Sequence, residues 1–153
     1  LMANSSNFNK LTDLMLYMAS RNENYINIIS KNLNKKIILI DRFVDSTIAY
    51  QHYGMGIKLD IIKYLNKKIL KNTKVNFTFL HTVSIRNLNL RLNRRKTLNR
   101  YDKFKREFYM KAQNGFIKLA KSKKNYLLIN SNKSIDINED IVIKKIKQLL
   151  KKC

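Results

Sequence analysis

Three short, mostly apolar runs constrain the fold of this chain more than any other feature. They lie at 36–41, where Lys36 and Asp41 flank four apolar residues, at 77–80, which includes Thr78, and at 126–129. Such short continuous runs are typical of strands buried on both faces. Segments with helical periodicity lie between and after the runs, at about 43–52, 58–70, 84–95, 101–122 and 138–150. Strands that alternate with helices predict parallel βαβ units in a three-layer α/β domain.

The segment before the first run predicts one long helix. Thr12 or Asp13 is expected to cap it, and apolar side chains then recur at near-helical spacing at Leu14, Leu16, Tyr17, Tyr25, Ile28, Ile29 and Leu33. We find no repeat, no Pro-rich or Ser-rich linker and no change in composition along the 153 residues. The sequence therefore predicts a single domain over 1–153.

The charge of the chain is strongly positive. It has 32 Lys and Arg against 10 Asp and Glu, a formal net charge of +22, which would favour polyanionic partners. However, 24 Lys, 20 Asn and 19 Ile all use codons that begin with two A or T bases. An AT-rich genome explains much of the basicity without a nucleic-acid ligand.

Membrane and redox features point to a soluble cytoplasmic protein. No apolar run approaches the roughly 20 residues that a membrane span needs, so no membrane partner is expected. The single cysteine, Cys153, permits no internal disulfide and suits a reducing cytoplasm. The three glycines, Gly54, Gly56 and Gly115, form no glycine-rich phosphate loop.

An Asp-Arg pair at the end of the first apolar run is the strongest candidate for chemistry. In parallel sheets the ligand crevice lies off the carboxyl ends of the strands, where Asp41 and Arg42 are expected. A guanidinium beside a carboxylate offers an anion-binding fork next to a metal or hydroxyl partner. The alternative is structural: Asp41 as a helix cap and Arg42 in a surface ion pair.

The residues after this pair extend the pattern. Asp-Arg-aromatic, a Ser three residues after the aromatic and then Ala-Tyr-Gln, at 41–51, resemble the signature of the thymidylate kinases, which are P-loop nucleoside monophosphate kinases. Further segments resemble the same family in order along the chain: 12–21, 79–80 with 84–95, 99–102, 107–109, 115–120 and 126–130.

The resemblance implies a P-loop NTPase-type fold with a parallel sheet. Thymidylate kinases open with a strand, a P-loop, a helix and a second strand, and these 153 residues contain no counterpart of that start. The chain therefore resembles the C-terminal three quarters of such a kinase. We expect residues 1–153 alone to fold poorly and to be inactive towards ATP, and the activity to belong to a full-length protein.

The reaction implied is transfer of the γ-phosphoryl group of ATP to dTMP, giving dTDP, with Mg²⁺ as the metal. By resemblance, Arg42 grips the dTMP phosphate, and Asp41 holds the acceptor end through Mg²⁺-bound water or a hydrogen bond. Such a transfer depends on positioning and charge neutralisation.

The resemblance also assigns a base pocket. Tyr17 is expected to stack on thymine and Arg21 to hydrogen-bond its edge, while Ser46, Tyr50 and Gln51 line the same pocket. Structural alternatives remain open for two of them, because Tyr17 at helical spacing also fits a helix core and Tyr50 also fits a buried tyrosine with a satisfied hydroxyl.

A basic segment at about 93–103 matches the mobile lid that closes over ATP in the family. The lid residues implied are Arg91, Arg94, Arg95 and Arg100, of which Arg95 and Arg100 best match the arginines that stabilise the transferring charge. The alternative interpretation is a solvated basic helix end. The resemblance further implies a homodimer, for which the apolar face of the helix at 12–33 is a candidate surface.

Three other interpretations of the function stay open. A basic nucleic-acid-binding protein would explain the charge, although the sequence has no stacking groove, helix-turn-helix or zinc spacing. An inactive kinase-like relic would share every motif above. A kinase of another monophosphate is a nearer rival, which the Ala-Tyr-Gln segment and the spacing from Tyr17 to Arg21 disfavour.

Overall fold

The computed structural model describes residues 8–71 and 73–151. In chain order, its elements are α1 (Lys10–Asn24), a π-helix (Tyr25–Ile29), α2 (Ser30–Asn32), α3 (Val44–Thr47), a second π-helix (Ile48–Gly54), α4 (Leu59–Leu70), β1 (Thr78–Thr82), α5 (Ile85–Asn93), a 3₁₀ turn (Tyr101–Lys103), α6 (Arg106–Lys121), β2 (Tyr126–Asn130) and α7 (Ile135–Leu150).

The chain divides into two compact units. The first consists of the residues up to Lys74 together with Leu98–Ile117, and the second consists of Val75–Thr97 and the residues from Lys118 onward. The first unit is helical and contains the residues of the Asp-Arg pair. The second unit contains both strands.

The first helix is as long as predicted but begins earlier. Asn9 caps α1, because its Oδ1 accepts the backbone N–H of Leu11 at 2.8 Å. The prediction that Thr12 or Asp13 caps the helix is therefore wrong, and Asp13 lies within α1, where its side chain is buried. The π-helix and α2 continue the helical path as far as Asn32.

The two strands form a parallel pair in the second unit. Their register places Thr78 opposite Tyr126 and Thr82 opposite Asn130. Leu80 and Ile129 supply the buried side chains of the pair. The runs predicted at 77–80 and 126–129 are thus confirmed as strands, and the parallel pairing confirms the α/β class with a parallel sheet.

The strand predicted at 36–41 is wrong. Residues 37–40 belong to no helix or strand, because no described segment pairs with their backbone. Ile37 and Leu39 are 71% and 83% exposed, so this apolar run does not have the buried environment that its sequence predicts. An apolar pattern makes a strand only where a second strand hydrogen-bonds to it.

The other predicted helices are present, with two changes of boundary. The helix expected at 101–122 is divided, since the 3₁₀ turn ends before an extended Phe104 and α6 starts at Arg106. The side-chain oxygen of Asn99 accepts the N–H groups of Tyr101 and Asp102, which favours a turn over a continuous helix. The last helix, predicted from 138, begins at Ile135 because Ser134 caps it.

Two glycines allow α6 to pack closely against the second π-helix in the first unit. A Cβ atom on Gly54 would overlap the ring of Phe108, and one on Gly115 would overlap the ring of Tyr53. Each glycine therefore admits an aromatic ring from the other element. This packing fixes the helix that follows the Asp-Arg pair.

Candidate functional site

A cleft of about 310 Å³ opens in the first unit between α1 and the segment at 38–43. Four residues that the sequence assigns to the site line it: Tyr17, Arg21, Asp41 and Arg42. The other lining residues are Ser20, Asn24, Ile28, Ile29, Ile38, Leu39, Ile40 and Phe43. The cleft thus joins an apolar wall to two cations and a carboxylate.

Arg21 is held in the cleft by neutral oxygen atoms. Its guanidinium donates to Thr47 Oγ1 at 2.6 Å, to Asn66 Oδ1 at 2.7 Å and to the Phe43 carbonyl at 3.2 Å. Burial lowers the pKa of Arg21 to about 10, so the group remains charged at neutral pH. Within the described residues no carboxylate pairs with it, and its positive charge is not neutralised.

The partners of Arg21 are themselves fixed. Asn66 lies on α4 and is buried, and its Nδ2 donates to the Ile62 carbonyl at 2.8 Å. That bond turns the amide so that Oδ1 faces Arg21. Thr47 is buried on α3. Consequently the guanidinium has one orientation, set by two helices and the Phe43 backbone.

Arg42 occupies a strained backbone position at the edge of the cleft. Its φ is +59°, a left-handed conformation that costs a non-glycine residue about 1–3 kcal/mol. The guanidinium carbon lies 5.1 Å from the centre of the Tyr50 ring, and the side chain is exposed. Such strain at the mouth of a cleft is typical of a binding site.

The structural alternative for the Asp-Arg pair, a helix cap at Asp41 and an ion pair at Arg42, has no supporting contact in the described part of the chain. Phe43, rather than Asp41, is the N-terminal cap residue of α3, and no side chain bonds to that end of the helix. Neither Asp41 nor Arg42 belongs to an ion pair with another described residue. Both charged groups are therefore open to a ligand.

Tyr17 and Tyr50 belong to one aromatic cluster. The ring of Tyr101 lies edge-on to both, with centroid distances of 6.3 Å and 5.8 Å. Tyr50 also contacts Phe108 and Phe116, so much of its ring is used in packing. Tyr17 packs on Tyr101 and also lines the cleft, so its role in stacking on a base stays a prediction.

A buried carboxylate lies behind this cluster. Asp13 is 1% exposed and accepts hydrogen bonds from Arg100, from the Tyr101 hydroxyl at 2.5 Å and from Gln51 Nε2 at 3.2 Å. Burial and the bond to Asp13 raise the pKa of Tyr101 well above its usual value. Tyr101 therefore remains a donor at physiological pH.

Asp13 is the residue that sequence reasoning missed. We expected it to cap the helix, whereas it lies within α1. Tyr17 and Arg21 follow it at intervals of four residues, so all three side chains share one face of α1. That shared face was the available signal. Its partner Arg100 is 87 residues away in sequence, which local patterns do not reveal.

The remaining predicted site residues lie outside the lining of the cleft. Ser46 donates its backbone N–H to the Phe43 carbonyl, and Gln51 is buried against Asp13 and Tyr101. In the second unit, Arg91 donates to the Ser131 carbonyl at 2.5 Å, and Arg94 and Arg95 are exposed after the end of α5. Arg100, in the first unit, is bonded to Asp13.

The fold and the cleft together define a class of protein. A parallel α/β chain with two available guanidinium groups and a carboxylate in one cleft is suited to a phosphorylated, partly apolar substrate. In the described part of the chain, no three His, Cys, Asp or Glu residues group as metal ligands, and no helix is long and apolar enough to span a membrane. The parallel strand pair and the charged, partly apolar cleft are the features of a nucleotide-binding enzyme.

Comparisons with known proteins identify the family. The thymidylate kinase family model matches residues 1–142. Thymidylate kinase of Sulfurihydrogenibium sp. (strain YO3AOP1) is 34% identical over 143 residues, covering 92% of this chain and 69% of the relative. Thymidylate kinase of Ehrlichia ruminantium (strain Gardel) is 35% identical over 154 residues, covering 97% of this chain and 74% of the relative.

A solved structure agrees with these relatives. The crystal structure of thymidylate kinase from Ehrlichia chaffeensis superposes with a TM-score of 0.72 at 29% identity, over 94% of this chain and 67% of that one. The chain therefore belongs to the thymidylate kinase family, and its function is that of a nucleoside monophosphate kinase that phosphorylates dTMP. A nucleic-acid-binding protein and an inactive relic are not favoured.

Proposed function

We propose that the cleft of the first unit is the dTMP site and that ATP donates the phosphoryl group. The observation that carries the proposal is the pair of guanidinium groups, Arg21 and Arg42, that line one partly apolar cleft and that no carboxylate among the described residues neutralises. A monophosphate nucleotide presents an anion at one end and a flat base at the other. The cleft offers two cations and an apolar wall to such a molecule.

Arg42 binds the phosphate of dTMP in this proposal. Its side chain is exposed, charged and open to a charge-assisted, bidentate contact. The Tyr50 ring beneath the guanidinium limits the directions in which the group can turn. Arg42 thereby holds the acceptor oxygen in place and neutralises charge on the phosphate as the reaction proceeds.

Asp41 is the proposed link to Mg²⁺. Its carboxylate is exposed beside Arg42 and has no hydrogen-bond partner among the described residues. Mg²⁺ in such enzymes takes one or two carboxylates and the phosphates of the substrates, so a single aspartate fits. The ion, when bound, offsets the negative charge of the phosphates. Asp41 orients the acceptor end through a water molecule or a direct hydrogen bond.

Tyr17 and Arg21 recognise the base in this proposal. The Tyr17 ring supplies a flat apolar wall, and Arg21 supplies a donor to a base carbonyl. Thr47, Asn66, the Phe43 carbonyl and the Met18 sulfur accept from the four terminal N–H groups, so the remaining donor, the Nε–H group, has a set direction. Ser46, Tyr50 and Gln51 belong to the surround of the same site.

The basic segment at about 93–103 is the proposed lid over the phosphates of ATP. Arg94 and Arg95 are exposed there and carry charge that suits a polyphosphate. Arg91 is bonded to the Ser131 carbonyl and would reach ATP after that bond is exchanged. Arg100 is bonded to Asp13, so its direct contact with a phosphate stays a prediction.

The test is the substitution Arg42→Lys, which keeps the charge and removes the fork. We expect kcat/KM for dTMP to fall about 100-fold, which is the usual cost of losing one donor to developing charge. Unfolding should be unaffected, because the side chain is exposed. The measurement is dTMP-dependent release of ADP by the complete gene product, together with a melting curve.

The matched control is Arg86→Lys, on an exposed arginine of α5 in the second unit. Its kcat/KM should stay within about twofold of the wild type, as surface changes usually do. Parallel assays use dUMP, dAMP and CMP as acceptors. Equal rates with dTMP and dAMP would contradict the proposed base recognition, and an undiminished rate in Arg42→Lys would contradict the proposed phosphate contact.

We also propose that the protein is a homodimer that uses the outer face of α1. Leu11 and Met15 are 47% and 44% exposed one turn apart, and Ile26 continues the same stripe at 49%. Analytical ultracentrifugation of the wild type and of Met15→Glu tests this. A wild type that sediments as a monomer at micromolar concentration would count against the dimer.

The proposed compartment is the cytoplasm, since the chain has one cysteine and no possible internal disulfide. Fractionation of the source cells with an antibody to the protein tests this. Recovery of the protein only in an envelope fraction would count against it.

A further inference from the structure

Asp13 is a buried charge that the proposed contacts with substrate do not use. Its carboxylate has hydrogen-bond donors from three side chains that are far from it in sequence: Gln51, Arg100 and Tyr101. Arg100 neutralises it, and only 14% of the Arg100 side chain is exposed. A fully buried carboxylate is costly unless it is paired, so this arrangement needs a reason beyond packing.

The donors to Asp13 connect two parts of the first unit. Arg100 and Tyr101 belong to the turn at 98–103, which forms the second half of the basic segment, whereas Asp13 belongs to the cleft helix α1. The turn is ordered locally as well. Asn99 Oδ1 accepts the N–H groups of Tyr101 and Asp102, and the Tyr109 hydroxyl donates to the Tyr101 carbonyl at 2.6 Å.

The ring of Tyr101 carries this connection to the cleft. It contacts Tyr17, which lines the cleft, and Tyr50, on which the Arg42 guanidinium rests. Its hydroxyl is bonded to Asp13, so the carboxylate determines where the ring lies. Loss of that bond would free the ring against both tyrosines at once.

We propose that Asp13 is a positioning residue of the kinase: through Arg100 and Tyr101 it holds the turn at 98–103 against the aromatic wall of the cleft, and so sets the affinity for the nucleotide acceptor. The inference rests on the proposed function, because it takes the cleft to be the dTMP site. Arg100, as the partner of Asp13, then supports the binding of dTMP.

Two substitutions test the inference. Asp13→Asn keeps the shape and removes the charge that Arg100 and Tyr101 bind, and we expect the Kd for dTMP to rise about tenfold. Tyr101→Phe keeps the ring and the ion pair and removes one donor, and we expect a rise of about threefold. The KM for ATP should change less than the Kd for dTMP in both, because Tyr101 contacts Tyr17 and Tyr50 of the acceptor cleft directly.

The matched control is Tyr25→Phe. Tyr25 is 7% exposed against 8% for Tyr101, also lies on the helical path from α1, and bonds through its hydroxyl to Thr73 rather than to Asp13. The Tyr25→Phe substitution should leave the Kd for dTMP unchanged. Calorimetric titration with dTMP, kinetics of the complete gene product and a melting curve are measured for each variant.

The outcomes separate the inference from the function on which it rests. A wild type that does not bind dTMP overturns both. A wild type that binds dTMP, with variants that melt earlier but keep its Kd, overturns the positioning role alone. If Asp13→Asn does not fold, Tyr101→Phe decides: an unchanged Kd for dTMP, or equal changes in the dTMP and ATP constants, overturns the inference.

Discussion

Arg21 and Arg100 lie in the same unit and are held by partners of opposite character. Arg100 is bonded to the carboxylate of Asp13, which cancels its charge. Arg21 is bonded to a hydroxyl, an amide oxygen and a backbone carbonyl, none of which carries a charge. Burial lowers the pKa of Arg21 to about 10, yet it stays protonated at neutral pH.

The difference separates a cation that binds a ligand from a cation that supports the structure. A guanidinium with neutral partners keeps its field in the cleft and strengthens a hydrogen bond to a substrate carbonyl. A guanidinium paired with a buried carboxylate contributes little field outside the pair. From this comparison we expect changes at Arg21 to alter the affinity for the ligand. Loss of one hydrogen-bond partner of Arg21 should alter that affinity less.

The largest effect is expected for Arg21→Lys. Lysine keeps the charge but lacks the planar fork that reaches both Thr47 and Asn66, so the group loses its fixed direction. We expect the Kd for dTMP to rise about thirtyfold. Calorimetric titration measures it.

The control for that substitution is Arg106→Lys, on an exposed arginine at the start of α6. Its affinity for dTMP should equal that of the wild type. An Arg21→Lys variant that binds dTMP as tightly as the control would contradict this distinction between Arg21 and Arg100, because the charge alone would then be sufficient for binding.

A smaller effect is expected for Thr47→Val. The change keeps the shape and removes the oxygen that lies 2.6 Å from the Arg21 guanidinium. The half-buried cation loses one acceptor, which should reduce the free energy of unfolding by about 1–2 kcal/mol and weaken dTMP binding about threefold. Urea unfolding and titration measure the two quantities. A variant as stable as the wild type would show that water replaces Thr47 without cost.

The smallest effect is expected for Lys111→Gln. Lys111 and Glu107 form an ion pair of 2.6 Å on α6, but both side chains are mostly exposed. Solvent screens such pairs, so the melting temperature should not change measurably. The Asp13→Asn variant, measured beside it, should melt at a clearly lower temperature. Equal changes in both variants would mean that burial of the Asp13–Arg100 pair is unimportant.

Local sequence patterns predict part of this molecule well. The helical path from α1 and both strands of the second unit follow from periodicity, because short-range spacing determines which face of an element is apolar. The cleft also brings together Tyr17, Arg21, Asp41 and Arg42, which the resemblance to the thymidylate kinases selects. Their roles in the reaction stay predictions.

Long-range pairing explains what the sequence analysis did not predict. The bond between Asp13 and Arg100 joins residues 87 positions apart, and nothing near either residue indicates the other. The strand predicted at 36–41 is absent for the same physical reason. Its apolar residues have the pattern of a strand, but a strand also requires a neighbouring backbone, which is a property of the whole fold.

The exposed run at 37–40 has a consequence for handling the protein. Ile37, Leu39 and Ile40 are 71%, 83% and 44% exposed in a segment without charge or proline. Short stretches of this kind pair readily with identical stretches of other molecules and seed aggregates. Precipitation on concentration or mild warming should begin here, before the helices melt, and a lysine at Leu39 should delay it.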